Sequence, residues 1–301
     1  MRCMRASPAQ RQRGLTLVEM MVALAAGLMV VLAAGALQNN ARAAYQDIDD
    51  AGHVQETGRM ALAHLADAVR QAGHLPRDSL GGQAPPRLSP ALRGIDDSRQ
   101  ANELDPSQGR FDAAAGNGYN RSDLLMLGFF GAARGMDADI ANCAGATATT
   151  GSAPLEESER SWNIYYIAPG VGNEPELRCR YRGKNGAWTS DAIVRGVEAM
   201  QLRYGVDTDF DGLPDRWLDA SAIAGDAWRQ VKLVRIALLV RGKQARPGAA
   251  GRGRSYELFA QSGRPNEAWR FTEKDGDQRL RAVFQTTVYL RNADAGGGTP
   301  P

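Results

Sequence analysis

The chain has 301 residues, of which 43% are hydrophobic and 23% are charged, and its formal net charge is +2. This composition is typical of a globular protein with one large domain or two modest ones. Four of the 36 basic residues lie in the first 14 positions, which contain no acid, so the remainder carries 36 − 4 = 32 basic and 34 acidic side chains. The body of the chain is therefore not basic overall, and its charge argues neither for nor against a nucleic-acid partner; no such partner is expected.

The N-terminal region combines a basic leader with a long apolar segment. Residues 15–37 contain a single charged side chain, Glu19. At ~1.5 Å per residue, a helix of this length is about 35 Å long, which is enough to cross the apolar core of a bilayer. The arginines that precede it favour a cytoplasmic N-terminus and export of the rest of the chain.

Glu19 needs a partner, because a carboxylate within an apolar membrane segment is costly when it is unpaired. No basic residue follows it within the segment. Cleavage after Gly14 would create a new amine on Leu15, four residues before Glu19. Among parallel helices, the amine of one subunit can then meet Glu19 of its neighbour.

The run GLTLVE at residues 14–19 resembles the class III signal of type IV pilins and pseudopilins. The resemblance implies cleavage between Gly14 and Leu15 by a prepilin peptidase, N-methylation of Leu15, and a role for Glu19 in subunit registration. Leu15 departs from the usual pattern, in which Phe is more common. The alternative is an ordinary signal anchor in which Glu19 is incidental.

The helix predicted for the apolar segment continues beyond it, to about residue 73, since no proline occurs before Pro76. We therefore expect one helix over residues 15–73, with residues 15–37 in the membrane. Its later part has one narrow apolar face, which is suited to lying against a sheet. The positions on this face recur at steps of three and four: Val54, Gly58, Ala61, Leu62, Leu65 and Val69.

Residues 74–294 are expected to form a periplasmic, β-rich globular domain, followed by a flexible tail at 295–301. Residues 76–121 are rich in Pro, Gly, Asp and Ser and predict a partly irregular connection. Alternation of side chains indicates that the segment 231–240 is a central strand. The predicted strands cover residues 123–130, 162–168, 177–181, 193–204, 231–240 and 282–290.

Several segments beyond the leader resemble minor pilins of the PilW type. They are ETGRMAL at 56–62, RQAG at 70–73, GVEAMQLRYGVD at 196–207, the strand end at 240–241, and VYLRN at 288–292. The resemblance implies an α+β, type IV pilin-like fold, in which a long N-terminal helix packs on an antiparallel β-sheet.

The same resemblance implies a minor pilin that primes type IV pilus assembly and sits at or near the pilus tip, supporting adhesion and twitching motility. The implied partners are prepilin peptidase, other minor pilins, the major pilin, a tip adhesin and, before assembly, the inner membrane. The implied location is the inner membrane, as a single-pass protein, and then the pilus fibre at the cell surface. A type II secretion pseudopilin and a membrane-anchored, calcium-binding adhesin that does not polymerise remain alternatives.

An enzymatic function is not expected. The sequence contains no nucleophile elbow, phosphate loop, paired-histidine metal motif or CxxC motif. No histidine follows residue 74, so the globular domain lacks the most common general base.

Three cysteines are present, and Cys3 lies in the leader. Removal of the leader would leave Cys143 and Cys179 as a pair in an exported domain, which favours a disulfide. Two buried free thiols are the alternative.

An acidic run follows the segment 196–206. In DTDFDGLPD, the acids Asp207, Asp209, Asp211 and Asp215 stand at positions one, three, five and nine, with glycine at six. Calcium prefers several carboxylate and carbonyl oxygens, and the carbonyl of Leu213 is a candidate at position seven. Position twelve is leucine rather than the glutamate of an EF-hand. The sequence predicts a structural calcium ion here; the alternative is an acidic loop whose aspartates cap their own turns.

Overall fold

A computed structural model describes most of the chain. The predicted leader, with Gly14 and Leu15, and the tail at 295–301 lie outside the described residues. The chain divides into two compact units, Met1–Asp49 and Asp50–Pro301. The described residues are 16–76, 87–131, 140–146, 155–183, 185–244, 253–260, 269–274 and 276–292.

The first unit is helical throughout its described part. Helix α1 begins at Leu17 and ends at Gln71, so it starts in this unit. Its side chains are exposed on all sides up to residue 49, including those of the apolar segment. By length and composition, α1 is the one helix among the described residues that could cross a membrane.

In the second unit, the remaining turns of α1 bury one face. Val54, Ala61, Leu65 and Val69 are buried, as the spacing predicts, and Leu62 packs against them partly buried. Gly58 is buried on the same face. A Cβ atom added at Gly58 would overlap the ring of Phe284, so the small residue allows the helix and this ring to approach closely.

Among the described residues, all strand pairs are antiparallel, and the strands form three sheets rather than the single sheet that the resemblance implies. The five-stranded sheet has the order β1-β2-β3-β4-β5, the four-stranded sheet β11-β8-β6-β7, and β9 and β10 pair alone. Together with α1, they confirm the predicted α+β class. The strands are β1 (Leu92–Ile95), β2 (Leu124–Phe129), β3 (Ser161–Pro169), β4 (Pro175–Arg182), β5 (Trp188–Arg195), β6 (Val197–Val206), β7 (Arg216–Leu218), β8 (Val231–Arg241), β9 (Ser255–Leu258), β10 (Trp269–Thr272) and β11 (Arg281–Tyr289).

The long strands agree with the predicted segments, with one correction. The predicted strand at 193–204 is two strands, because Gly196 separates β5 from β6 with a φ of +86°. The two strands belong to different sheets. Strand β8 lies between β11 and β6 and is buried along most of its length, which confirms its predicted central position. Short strands such as β1 and β7 carry too few residues for a periodic signal.

The C-terminal end of α1 is capped by a residue near the C-terminus of the chain. The side-chain amide of Asn292 donates hydrogen bonds to the carbonyls of Ala72, at 3.1 Å, and Arg70, at 3.3 Å. The last carbonyls of a helix have no partner within the helix, so a side-chain donor at this position satisfies them. Gly73 adopts a φ of +76°, as is common just beyond a helix end.

A close contact between the two larger sheets makes Gly94 sensitive to substitution. Gly94 lies in β1, and Tyr204 lies in β6 with its side chain fully buried and its ring 4.8 Å from that of Trp228. A Cβ atom at position 94 would overlap the Tyr204 hydroxyl. We expect Gly94→Ala to lower the free energy of unfolding by about 2–3 kcal/mol, as overpacking does. Urea denaturation of the processed chain in detergent measures this loss.

Two further variants separate this contact from a general effect of alanine. The Tyr204 hydroxyl has no hydrogen-bond partner among the described residues, so Tyr204→Phe should cost less than about 1 kcal/mol and should recover part of the loss in combination with Gly94→Ala. Gly52 is exposed in α1, and a Cβ atom there meets nothing within 4 Å. Gly52→Ala should therefore gain about 0.5–1 kcal/mol. A Gly94→Ala chain as stable as the parent would contradict the packing described.

Candidate functional sites

The first turn of α1 contains a reciprocal capping arrangement. The backbone N–H and the hydroxyl of Thr16 donate to Oε2 of Glu19, at 2.9 and 3.0 Å. The backbone N–H of Glu19 donates in return to the Thr16 hydroxyl, at 3.3 Å. This is the pairing of a capping box, which satisfies donors that the helix itself leaves free.

The capping box gives Glu19 a local role that the sequence analysis did not consider, although the spacing of Thr16 and Glu19 carries the signal. Both hydrogen bonds from Thr16 end on Oε2. Oε1 accepts no hydrogen bond from the described residues, and the side chain is exposed in the isolated chain. The arrangement therefore leaves one carboxylate oxygen for a further donor. The pairing of Glu19 with a neighbouring amine stays a prediction.

The disulfide predicted from the cysteine count is present. Cys143 and Cys179 are bonded with their Cα atoms 6.4 Å apart. Cys179 lies in β4 and is fully buried, and Cys143 is 9% exposed. The N–H of Cys143 donates to Oδ1 of Asn163 in the adjacent strand β3, at 3.2 Å. The bond and this contact together attach the described segment 140–146 to the five-stranded sheet.

The acidic run forms the loop between β6 and β7, which we call the acidic loop (residues 207–215). It leads into β7, and two short 3-10 helices follow before β8. At its base, the N–H of Asp215 donates to the carbonyl of Val206, at 2.9 Å. The N–H of Asp207 donates to the carbonyl of Gln230, just before β8, at 2.8 Å.

The structure brings three of the five predicted metal ligands together. One carboxylate oxygen from each of Asp207, Asp209 and Asp215 lies within 4.8 Å of the others. Asp211 is outside this group, and its Oδ1 accepts a hydrogen bond from the N–H of Leu213, at 2.7 Å. A calcium–oxygen distance is about 2.3–2.6 Å, so three oxygens at this spacing are within reach of one shared ion.

Hydrogen bonds within the acidic loop agree in part with the alternative to a calcium site, which is a loop whose aspartates cap their own turns. Asp209 Oδ1 accepts from the N–H of Asp211, at 3.2 Å, and Asp207 Oδ2 accepts from the N–H of Gly212, at 3.0 Å. Thr208, which the sequence analysis overlooked, donates its N–H, at 2.6 Å, and its hydroxyl to Asp215 Oδ2. The hydroxyl bond is the main cause of a lowered pKa at Asp215. Asp207 Oδ1 differs, since it is buried and has no hydrogen-bond partner among the described residues.

Comparison with known proteins identifies two regions that match known families. The family model of type IV pilus-assembly protein W (PilW) matches residues 164–292, and that of the prokaryotic N-terminal methylation motif matches residues 9–35. A type IV-like pilin from Thermus thermophilus, TTHA1219, is similar in structure, with a TM-score of 0.42 and 13% identity over 80% of this chain and 98% of that one. No curated protein matches the chain.

The two family matches include many of the sequence signals described above, although the segments at 56–62 and 70–73 lie outside both. The methylation motif covers the end of the leader from residue 9, the predicted cleavage point and Glu19, and it implies processing by a prepilin peptidase and assembly with other pilins. The PilW match covers most of β3 and all of β4 to β11, and it extends to Asn292, which caps the end of α1. The chain therefore combines a region that matches the PilW family of type IV pilus-assembly proteins with a prepilin N-terminal methylation motif, and these matches are consistent with a type IV pilin.

Proposed function

We propose that the protein is a non-catalytic minor pilin, which helps to initiate assembly of a type IV pilus and occupies a place at or near its tip. In this role it supports adhesion and twitching motility. Before assembly it crosses the inner membrane once, with its N-terminus in the cytoplasm and its globular domain in the periplasm. Its partners are other minor pilins, the major pilin and a tip adhesin.

The observation that carries this proposal is the surface of α1 in the first unit. Over the apolar segment, large side chains such as Leu24, Met29 and Val31 are at least 66% exposed. A helix that is apolar on all sides needs either lipid or other apolar helices around it. A filament of parallel pilin helices supplies the second environment after the membrane has supplied the first.

The match to a family described as a pilus-assembly protein favours the pilus over a secretion system. Minor pilins and pseudopilins share the processing motif and the long helix, so these features do not separate them. The distinction therefore depends on which filament contains the protein.

The test uses a strain in which the gene is deleted and the tagged protein is supplied on a plasmid. We expect the deletion to reduce surface pili and twitching, and the complemented strain to release the tagged protein with sheared pili, together with other minor pilins. A tagged protein that stays in the membrane fraction would favour the anchored adhesin. Normal pili combined with defective protein secretion would favour the pseudopilin.

A further inference from the structure

Within the acidic loop, the buried oxygen of Asp207 distinguishes a binding site from a surface cluster. The residue Asp207 is 0% exposed. Its Oδ2 accepts a hydrogen bond from Gly212, whereas its Oδ1 is buried with no partner among the described residues. A buried acceptor without a partner costs roughly 1–3 kcal/mol, and more when it is charged. A ligand bound to this oxygen would remove that cost.

The surroundings of the Asp207 carboxylate favour a cation. Asp209 and Asp215 each place a carboxylate oxygen within 4.8 Å of one on Asp207. Among the described residues, no basic side chain forms an ion pair with any of these three acids. Arg216 acts on Asp215 only as a nearby charge that adds to the lowering of its pKa. Three carboxylates this close repel one another unless a positive charge lies between them.

We propose that the acidic loop binds one calcium ion through Asp207, Asp209 and Asp215. All three ligands are hard carboxylate oxygens, which suits calcium better than zinc or copper, since those metals favour imidazole and thiolate ligands. Gly212, with a φ of +91°, provides the turn that folds the loop back towards Asp207. The ion neutralises the buried oxygen and holds the connection between β6 and β7.

The proposal explains why the loop exposes apolar side chains. Phe210 is 51% and Leu213 is 67% exposed, and both lie between the acids that bind the ion. Phe210 has a φ of +62°, which is unusual for a large residue. The ion counteracts the strain and the charge repulsion and so stabilises this conformation of the loop.

The experiment is calcium titration of the processed full chain in detergent after removal of metal by a chelator. Calorimetry should give one ion per chain. At a hundredfold excess of calcium over its dissociation constant, the melting temperature should rise by about 5–10 °C. Magnesium should stabilise less, because it is smaller and demands near-ideal octahedral geometry.

Three variants assign the ion to the acidic loop. Asp207→Asn and Asp209→Asn should each weaken calcium binding at least about tenfold, as the loss of a charged ligand does. Asp209 is exposed, so its variant remains informative if Asp207→Asn fails to fold. Asp112→Asn removes the same charge from an exposed position outside the loop and should bind calcium like the parent chain.

Three results would overturn the proposal. The first is the absence of both heat and thermal shift when calcium is added to the parent chain. The second is unchanged binding in Asp209→Asn, which would place the ion elsewhere. The third is equal stabilisation by magnesium, which would remove the assignment to calcium.

Discussion

Replacing Glu19 with Ala should leave processing intact but reduce the amount of protein in sheared pili at least about tenfold. The reason is that Oε1 of Glu19 is the oxygen left to accept a neighbouring amine. Breaking a buried ion pair by removing one partner costs roughly 3–5 kcal/mol, and about 1.4 kcal/mol is a tenfold change in an equilibrium. Quantitative blotting of the sheared and membrane fractions measures the effect, and the intact mass reports cleavage after Gly14 and methylation of Leu15.

Glu19→Gln is the matched control for this experiment. Glutamine retains the capping arrangement with Thr16, since either Glu or Gln serves in a capping box, but it lacks the charge. If the charge pairs with a neighbouring amine, Glu19→Gln should fail to assemble as Glu19→Ala does. A Glu19→Gln protein that enters pili normally would limit Glu19 to helix capping and would contradict the pairing role. A mature chain that begins elsewhere than Leu15 would contradict the processing site itself.

Removing the disulfide should produce the largest loss of stability among the changes considered. Cys143 and Cys179 are separated by 36 positions, and closing a loop of this length in the unfolded chain corresponds to about 3–4 kcal/mol. We expect the variant with both cysteines replaced by Ser to lose about this much free energy of unfolding in urea. Peptide mapping without reduction should show the two cysteines in one linked peptide.

The single variants and the leader cysteine serve as controls. Cys143→Ser and Cys179→Ser should each lose about as much stability as the double variant, because either change breaks the same bond. Cys3→Ser should have no effect on the processed chain, since Cys3 precedes the predicted cleavage point. Alkylation of both Cys143 and Cys179 without prior reduction would show that the bond does not form.

The sequence predicts the features that depend on local pattern. The apolar face of α1 follows from helical spacing: of the six positions that the period identifies, five are buried and Leu62 is partly buried. The alternation of acids in the sequence identifies the acidic loop. It does not show that these acids differ in burial and in their contacts. Asp207 is buried because its N–H pairs with the carbonyl of Gln230, a contact between residues 23 positions apart that no local pattern contains. Likewise, β5 and β6 belong to different sheets because Gly196 separates them, and the alternation pattern of the sequence does not reveal this break.

The cap on α1 also constrains the order of events during biogenesis. Asn292 bonds the carbonyls of Arg70 and Ala72 across sequence separations of 222 and 220 positions. Contacts between such distant positions form late in folding, because bringing them together restricts the intervening chain and costs conformational entropy. In the topology that we propose, export proceeds from the N-terminus, so the apolar part of α1 would reach the lipid long before Asn292 leaves the cytoplasm. A chain that is truncated before this residue would keep an anchored helix with an uncapped end, and we expect such a product to be more accessible to periplasmic proteases than the full chain.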